Sequence, residues 1–430
     1  MSRELKMRIQ INGTVEPGFD SVKKLYEHKM QTLAERNTQL CVYHKGKKVV
    51  DLWATAVNDI KFSPDSLVNI FSSGKSLEAI AMASLAGKGL LNYDAKIAVY
   101  WPEFGSNGKG DLSVADLMRH EGGLASFDVS IDTQDLLMSS IKQNKIGTII
   151  EGQRQKYRKG TDKKREYHAV TRGWIVNEVF RRIDPESRTI GEYVQGLNHS
   201  LGVDVFVGVK DDQLSQISHV FPLKTGFIFL ESLKPEFLKR KIESNLFQIL
   251  GKLIRFISLL RSSTTTGSPP PFKGMKKIEF FNEAAVARGE TPSANTHSTA
   301  RALAKIAAMM AAGGQFADEE FITKPAWDSM HKDPMTADMG FLTTTFTQGG
   351  VAFFPKMNAH STKLDKAVNL GREGFYGWMG LGGSLFQWHP ENEIGFAYVP
   401  TSLNVLDLVN ERGKAYQAEV LKCVEDLGEK

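Results

Sequence analysis

The chain has 430 residues, of which 41% are hydrophobic, 10% aromatic and 24% charged, and its formal net charge is +5 at pH 7. This length leaves room for two or three domain-sized units, and the composition excludes a disordered or fibrous protein. Lysine and arginine recur along the whole chain beside acidic residues, which excludes nucleic acid as the principal partner.

The cysteines and the hydropathy of the chain indicate where in the cell the protein is located. Cys41 and Cys423 are far apart and lack metal-ligand spacing, so we expect two reduced thiols. The first residues contain no apolar run of signal-peptide length, and the chain contains no uncharged apolar run long enough to cross a bilayer. These observations predict a cytoplasmic protein without a transmembrane span.

In the first part of the chain, the spacing of apolar residues predicts a helix, then two strands, then a second helix. Apolar residues at helical spacing predict a helix over about 21–36. Two β-rich runs at 39–43 and 49–54, with a polar turn between them, predict a hairpin. An apolar helix then follows, and its N-terminus is predicted near Ser72 or Ser73.

The middle of the chain is mostly helical and its end returns to strands. Apolar residues three and four apart recur through 112–221 and again through 298–314. Short β-rich runs separated by Gly, Pro and Asn occupy 341–400, and an amphipathic helix over about 405–427 closes the chain. The two ends therefore have the patterns expected of one shared sheet.

From this order of elements we predict an α+β protein, in which both chain ends form an antiparallel sheet flanked by helices and a mainly helical domain is inserted. The sheet domain would comprise 1–110 and 315–430. The helical domain would comprise 111–314, including an insertion at about 223–275. The cleft between the two domains is the expected ligand site.

The insertion contains a segment over 246–260 that predicts an amphipathic helix. Its apolar stripe comprises Leu246, Ile249, Leu250, Leu253, Phe256, Ile257 and Leu260, and Gln248, Lys252 and Arg255 mark the opposite face. A Ser/Thr/Gly/Pro-rich connector follows. This helix would pack on its own domain, lie on a membrane surface, or mediate self-association.

The segment Ser72-Ser73-Gly74-Lys75 has the form S-x-x-K, which on a helix places hydroxyl and amine one turn apart on one face. A nearby amine of lowered pKa can accept the proton of a serine nucleophile. The same spacing also describes a capping serine followed by a surface lysine. The apolar helix that follows favours the catalytic interpretation, because a buried lysine must be paired or functional.

Tyr167 is a second candidate, as a general base whose pKa would be lowered by the positive charge of Lys75. On its own it is equally consistent with a packed ring and a hydrogen-bonded hydroxyl. Three histidines, His120, His168 and His297, are predicted to orient loops, and His168 would border the cleft. None of them belongs to an H-E-x-x-H pattern, so we expect neither a metal nor another cofactor.

Four blocks, in the same order, resemble the serine β-lactamase-like family, which includes class C β-lactamases, penicillin-binding-protein-like esterases and animal β-lactamase-like proteins. They are residues 51–124, YHAVTRGWIVNEVFRR at 167–182, residues 292–314, and GWMGLGGSLFQWHPENEIGFAYVP at 377–400. The resemblance implies a β-lactamase/transpeptidase-like fold. It also implies that Ser72 is the acylated nucleophile, Lys75 its proton partner and Tyr167 the second general base.

The chain departs from the family's lactamases at two motifs. Ala169 replaces the Asn of their Y-x-N motif, as is typical of the esterase-like members, which disfavours efficient β-lactam hydrolysis. Trp378-Met379-Gly380 aligns with the K-T-G or H-x-G motif, and an indole can only donate a hydrogen bond. The alignment makes Gly380 a point of close substrate approach.

By the same alignment, the backbone N–H groups of Ser72 and Leu381 would form the oxyanion hole. A literal Lys-Thr-Gly at 224–226 is treated as coincidence, because the family places this motif on a late strand.

Two functions therefore compete. The first is a serine hydrolase that acts through an acyl-enzyme on a small-molecule ester or, less favoured, an amide. The second is a catalytically weak or inactive family member that serves as a scaffold, a self-assembling protein or a membrane-surface protein, supported by Trp378 and the 246–260 helix. The residues alone do not identify the substrate.

Overall fold

A computed structural model describes residues 9–157, 165–340, 342–359 and 361–428. Within these ranges the strands are β1 Gln10–Val15, β2 Asn37–His44, β3 Lys47–Thr55, β4 Val68–Asn69, β5 Val205–Phe206, β6 Phe221–Pro222, β7 His297–Ser298, β8 Gln315–Phe316, β9 Glu319–Glu320, β10 Met335–Met339, β11 Leu342–Phe346, β12 Ala352–Phe353, β13 Leu385–His389, β14 Ile394–Pro400 and β15 Ser402–Leu403.

The helices of the same ranges are α1 Asp20–Thr32, α2 Lys75–Gly87, α3 Ile97–Tyr100, α4 Val114–Met118, α5 Met138–Lys142, α6 Lys145–Gly152, α7 Thr171–Ile183, α8 Ile190–Leu201, α9 Thr225–Ser232, α10 Leu246–Ser262, α11 Ala284–Arg288, α12 Ala300–Ala311, α13 Lys324–His331, α14 Lys363–Asn369 and α15 Glu411–Gly428. None of these described helices has the length and hydropathy needed to cross a bilayer.

Both chain ends build one antiparallel sheet, as predicted. Its strand order in the described residues is β1-β3-β2-β14-β13. The hairpin of β2 and β3 pairs through β2 with β14, in a register that runs from Thr38 opposite Pro400 to His44 opposite Ile394. The early hairpin and the late strands are therefore neighbours in space.

Alternating side chains of these strands enter two separate hydrophobic cores. Cys41, Ala397 and Val399 point to the face on which α12 packs, and Leu40 and Phe396 point to the opposite face with α1 and α15. Cys41 and Cys423 are both buried free thiols, which confirms the expected absence of a disulfide between them.

Helix α12 lies directly against the sheet, beside β14 and β2. The sequence-based boundary at 314 would assign this helix to the helical domain, although its packing partners are strands. The helical region packs instead around α2, which contacts α7, α8 and α13. The exact domain limits stay a prediction.

The segment before β13 follows the edge of the sheet. Tyr376 bridges to Trp388 and Met379 bridges to Leu385, so the motif at 378–380 runs antiparallel to β13. On its other side, Tyr376 bridges to Phe353 at the end of the three-stranded β10-β11-β12 sheet. This pairing places Trp378 at the sheet edge, beside the turn that contains Ser72.

The predicted helix in the insertion forms as α10, but its orientation differs from the prediction. Ile249 is buried and Leu253 is partly buried, whereas Leu250 and Ile257 from the same predicted stripe are exposed. Lys252, placed on the solvent face by the pattern, turns toward the protein and donates to Ser244 Oγ at 2.8 Å. Three side chains of the prediction lie outside the described structure: Phe256 and Leu260 of the apolar stripe, and Arg255 of the opposite face.

Helix α12 approaches strand β14 closely at Gly395. A Cβ there would lie 2.3 Å from the backbone N of Ala308 and 2.6 Å from the backbone O of Ala304, both on α12. We expect Gly395→Ala to lower the free energy of unfolding by about 1–3 kcal/mol, because backbone atoms on both sides must separate. Urea denaturation followed by circular dichroism measures this change.

The matched control is Gly196→Ala on α8, where a Cβ meets nothing within 4 Å. This substitution should stabilise the protein by about 0.5–1 kcal/mol, because alanine is the better helix former. Equal effects of the two substitutions would contradict the close packing of α12 on β14.

Candidate active site

The turn that carries Ser72 links strand β4 to helix α2. Residues 71–74 form a 3-10 turn, so Ser72 precedes the α-helix by one turn rather than opening it. Phe71 has φ +47°, a conformation that costs energy for a large side chain and persists only when its surroundings hold it. The Phe71 N–H donates to Asn69 Oδ1 at 2.8 Å, and the Phe71 ring packs edge-on against Phe281.

The side chains of Ser72 and Lys75 face each other, as the S-x-x-K spacing predicts. Lys75 Nζ donates to Ser72 Oγ at 3.3 Å, to the Ala169 carbonyl at 2.7 Å and to the Ser293 carbonyl at 3.1 Å. Lys75 is a fully buried residue. Acceptors from three chain segments therefore hold its amine beside the serine.

Burial lowers the pKa of Lys75 well below its usual range. The nearby Glu78 carboxylate opposes this shift and the Arg172 guanidinium adds to it. Arginine does not lose its proton in proteins, so lysine is the cation that can become neutral here. A neutral amine beside a serine hydroxyl can act as a general base.

Tyr167 brings a phenol to the same serine from a distant part of the chain. The Ser72 and Tyr167 hydroxyls are hydrogen-bonded to each other. Trp378 Nε1 donates to that oxygen at 3.0 Å, and Lys75 Nζ lies 4.9 Å from the centre of the tyrosine ring. The structure thus brings together the three residues predicted to be catalytic and the tryptophan of the third motif.

The expected lowering of the Tyr167 pKa is wrong. Burial raises the pKa of Tyr167 to about 12, and the hydrogen bonds from Ser72 and Trp378 offset only part of this effect. Lys75 lies over the ring rather than beside the hydroxyl. The phenol therefore keeps its proton at neutral pH, and Lys75 is the better base.

Arg165 attaches the segment that carries Tyr167 to the β10–β11 hairpin. Its guanidinium donates to the Thr344 carbonyl at 2.8 Å and forms an ion pair with Glu121 at 2.8 Å. Its backbone bridges to Met339. These contacts fix the height of the tyrosine above the serine turn.

His168 does not border the cleft, contrary to the prediction. It is fully buried, and its ring links two backbone segments: Nδ1 donates to the Glu166 carbonyl at 2.6 Å, and Nε2 accepts from the Leu124 N–H at 3.0 Å. Burial lowers the pKa of His168 to about 4, so the ring is neutral. His168 and His120, which accepts from the His168 N–H, position the tyrosine segment.

Position 380 has no room for a side chain, because the serine turn packs directly against it. A Cβ there would lie 2.4 Å from the Ile70 carbonyl oxygen and 1.9 Å from Ser384 Oγ, so the sheet edge can approach the serine turn only with glycine at this position. Gly380 also lines the cavity that contains Ser72, so the close approach of substrate at this position stays a prediction. Leu381, the next residue, lines the cavity that contains Ser72.

This cavity has a volume of about 220 Å³ and is mostly apolar. Ser72 and Tyr167 lie in its wall, and its other side chains include Met339, Leu342, Trp378, Leu381, Val405 and Leu408. A larger cavity of about 610 Å³ lies beside Arg36 and Phe221, but it contains none of the three predicted catalytic residues. The chemistry therefore identifies the smaller cavity as the candidate site.

A buried ion pair that was not predicted from the sequence lies below the amine. Glu78 Oε2 accepts from Arg172 Nε at 2.8 Å, and both side chains are fully buried. The Ser293 hydroxyl also donates to Glu78. A signal was present, because Glu78 follows Lys75 by one helical turn in an apolar helix, where a carboxylate needs a partner.

Two other sequence motifs lie away from this site. The Lys-Thr-Gly at 224–226 belongs to the start of α9, with all three residues exposed, and does not line the cavity. In the described ranges, no group of three or more His, Cys, Asp or Glu side chains could hold a metal ion.

Comparisons with known proteins show what the chain is similar to. A family model described as beta-lactamase matches residues 22–197. The esterase/beta-lactamase LipL of Mycobacterium tuberculosis (strain ATCC 25618 / H37Rv) is 26% identical over 405 residues, which are 92% of this chain and 83% of that protein.

Two solved structures share the fold. A family VIII carboxylesterase has a TM-score of 0.73 at 20% identity, covering 96% of this chain and 100% of that chain. A penicillin-binding protein homologue from Caulobacter crescentus has a TM-score of 0.71 at 21% identity, with 96% and 100% covered. Both confirm the predicted architecture of an antiparallel sheet with helices.

The Glu78–Arg172 pair generates a prediction on stability. Glu78→Gln should lower the free energy of unfolding by about 3–5 kcal/mol, because it leaves the Arg172 guanidinium buried without a carboxylate. Urea denaturation measures the loss. In the exposed pair of Lys47 and Glu16, 2.7 Å apart, Glu16→Gln should cost less than about 1 kcal/mol. Similar losses in both variants would refute a stabilising role for the buried pair.

Proposed function

We propose that the chain is a serine hydrolase of the β-lactamase-like type, which it resembles, and that it forms an acyl-enzyme on Ser72 and cleaves a small ester. The observation that carries the proposal is the Ser72 hydroxyl, hydrogen-bonded to both the Lys75 amine and the Tyr167 phenol at the wall of an apolar cavity. The free thiols of Cys41 and Cys423 fit a cytoplasmic location.

Acylation begins with the neutral amine of Lys75. As Ser72 Oγ forms a bond to the ester carbonyl carbon, its proton passes to Lys75 Nζ, 3.3 Å away. The bond from carbon to the alcohol oxygen then breaks, and the departing alkoxide takes the proton of the Tyr167 phenol. The resulting ammonium and phenolate are close enough to stabilise each other, with Nζ 4.9 Å from the ring centre.

Deacylation reverses these two proton transfers. Water attacks the acyl carbon and gives its proton to the Tyr167 phenolate, while Ser72 leaves and recovers a proton from the Lys75 ammonium. The products are an alcohol and an acid, and each side chain returns to its starting state. Tyr167 is thus the acid of the first step and the general base of the second.

The oxyanion of both tetrahedral intermediates would be stabilised by the backbone N–H groups of Ser72 and Leu381. Gly380 supports this assignment, because its lack of a side chain lets the edge segment lie against the serine turn. Both residues line the candidate cavity.

Two features favour an ester over a β-lactam. Position 169 has no side-chain amide, and the Ala169 carbonyl is already bonded to Lys75. The cavity walls are mainly apolar, which suits the acyl or alkyl part of an ester. The ester class also agrees with the names of two similar proteins, the esterase/beta-lactamase LipL and a family VIII carboxylesterase.

Trp378 takes part in the site rather than weakening it. Its indole N–H donates to the Tyr167 oxygen, where the family's lactamases have a cationic or imidazole side chain in the aligned motif. This bond lowers the pKa of Tyr167 against the effect of burial. The feature that favoured an inactive scaffold therefore has a place in the mechanism.

Hydrolysis of short-chain aryl esters tests the proposal. We expect ester cleavage faster than turnover of a chromogenic cephalosporin, and covalent labelling by a fluorophosphonate probe. Ser72→Ala should abolish both reactions, because the nucleophile is gone. Ser76→Ala is the matched control, since Ser76 is a buried serine on α2 whose hydroxyl has no hydrogen-bond partner in the described residues.

An unlabelled Ser72 without ester turnover would contradict the enzyme and favour the scaffold. Cephalosporin hydrolysis faster than ester hydrolysis would contradict the preference drawn from Ala169 and the cavity. Labelling that survives in Ser72→Ala would move the nucleophile elsewhere.

The pH dependence of kcat/KM tests the roles of Lys75 and Trp378. Activity should fall as the pH is lowered through the depressed pKa of Lys75, because an ammonium cannot accept the Ser72 proton. Trp378→Phe removes the N–H that favours the Tyr167 phenolate, and should reduce kcat about fivefold, the equivalent of one hydrogen bond of about 1 kcal/mol.

The control for this substitution is Trp327→Phe, because the Trp327 indole donates to the Met310 carbonyl and does not line the cavity. It should leave kcat unchanged. An equal loss of activity in both variants would show that Trp378 acts through packing alone.

A further inference from the structure

Two helices of the insertion expose large apolar side chains. On α10, Phe247, Leu250, Ile254 and Ile257 recur at helical spacing and are all exposed. On α9 and the turn after it, the exposed apolar side chains are Phe229, Leu230, Leu233, Phe237 and Leu238. We call this set the apolar outer face. Contiguous exposed apolar surface is rare in a soluble protein unless something covers it.

The inner sides of the same two helices are held by the rest of the protein. Ile228 of α9 and Ile249 of α10 form a small core with Ile242, and Leu253 and Leu406 pack against it. These contacts fix which side of each helix points outward. The apolar outer face is thus a consequence of the fold and not of unpacked helices.

The surplus positive charge of the chain is concentrated in the same segment, contrary to the even spread expected from the sequence. Residues 223–262 contain eight lysines and arginines and three acidic residues, a surplus of five that equals the net charge of the whole chain. Lys224 and Lys239 are among its exposed residues. The remainder of the chain is therefore neutral overall.

This segment adjoins the candidate active site at two points. Leu406, in the small core, lies between Val405 and Asp407, which line the cavity that contains Ser72. Immediately after α10, the Ser263 hydroxyl donates to the Glu166 carboxylate at 2.7 Å, as does the Thr264 N–H at 2.8 Å. Glu166 also lines the cavity and precedes Tyr167.

We infer that the apolar outer face docks the protein on an anionic phospholipid surface, with the active-site cavity beside the point of contact. Aliphatic and aromatic side chains would enter the acyl boundary of the bilayer, and the exposed Lys224 and Lys239 of the same segment would meet the phosphates. This is a surface contact and not a membrane span.

The charge argues against a second copy of the chain as the occupant. A dimer through this face would bring together two segments that each have a net charge of +5, and this repulsion opposes it. An anionic bilayer, in contrast, satisfies both the apolar and the charged side chains. If the site is beside the bilayer, its substrate is a lipophilic ester dissolved in the membrane. This inference about the substrate rests on the proposed ester hydrolysis.

Vesicle flotation with the full chain tests the docking without relying on activity. Wild type and Ser72→Ala should both float with phosphatidylcholine vesicles that contain phosphatidylserine, and float less with pure phosphatidylcholine. The double variant Phe247→Glu/Ile254→Glu should bind at least about tenfold more weakly, because two carboxylates replace apolar side chains at the bilayer.

The matched control is Ile60→Glu/Val99→Glu, which adds the same charge at apolar side chains outside the insertion. Ile60 and Val99 are 87% and 68% exposed, against 83% and 68% for Phe247 and Ile254, so neither pair disturbs the core. The control should bind like wild type. Thermal melts of the two variants should coincide.

A second readout separates the docking from the enzymatic proposal. Phe247→Glu/Ile254→Glu should hydrolyse a soluble short-chain ester at the wild-type rate but lose activity on a long-chain ester embedded in vesicles. If no ester is cleaved while flotation behaves as expected, the docking stands and the proposed function fails.

Three results would overturn the docking: no flotation, equal weakening by the two double variants, or equal binding with and without phosphatidylserine. A dimer in size-exclusion chromatography that Phe247→Glu/Ile254→Glu abolishes, in the absence of flotation, would also overturn it in favour of self-association.

Discussion

Burying the Lys75 amine beside Ser72 constrains most of the surrounding structure. An ammonium removed from water needs either partners or the loss of its proton. Here it has three oxygen acceptors, while the nearby Glu78 carboxylate is already paired with Arg172. Two cations thus share one anion in the interior. Because arginine keeps its proton, the imbalance favours neutral lysine, which is the form that can activate a serine.

The acceptors around that amine also connect the parts of the fold. Lys75 belongs to α2, Ala169 to the segment that carries Tyr167, and Ser293 to the segment before β7. The sheet edge completes the assembly, because Gly380 allows it to lie against the serine turn and places Trp378 on the Tyr167 oxygen. The same contacts that position the nucleophile therefore also hold the sheet edge against the helices.

The insertion extends this assembly outward. Its connector bonds to Glu166, and its small core contacts the loop that forms another wall of the cavity. The proposed lipid contact would bring the site close to a substrate dissolved in the membrane, because Val405 and Asp407 of that loop line the cavity. The lipid contact depends on α10 exposing apolar side chains that a solvated helix would not expose.

The sequence by itself determined the local elements, the sheet shared by both ends, and the S-x-x-K pair. These follow from periodicity and from the fixed geometry of one helical turn, which need no knowledge of distant residues. Its four ordered blocks also placed Tyr167 and Trp378 among the site residues. The sequence pattern did not show how deeply these site residues are buried or which charges surround them.

Only the tertiary structure decided the raised pKa of Tyr167, the buried position of His168 and the outward direction of Ile257. Trp378 and Tyr167 are 211 positions apart, yet their hydrogen bond and the apolar walls around them set the protonation state of the phenol. A pKa depends on how much water and which charges surround a group. A helix pattern likewise shows which residues share a face, but only packing decides which face meets the core.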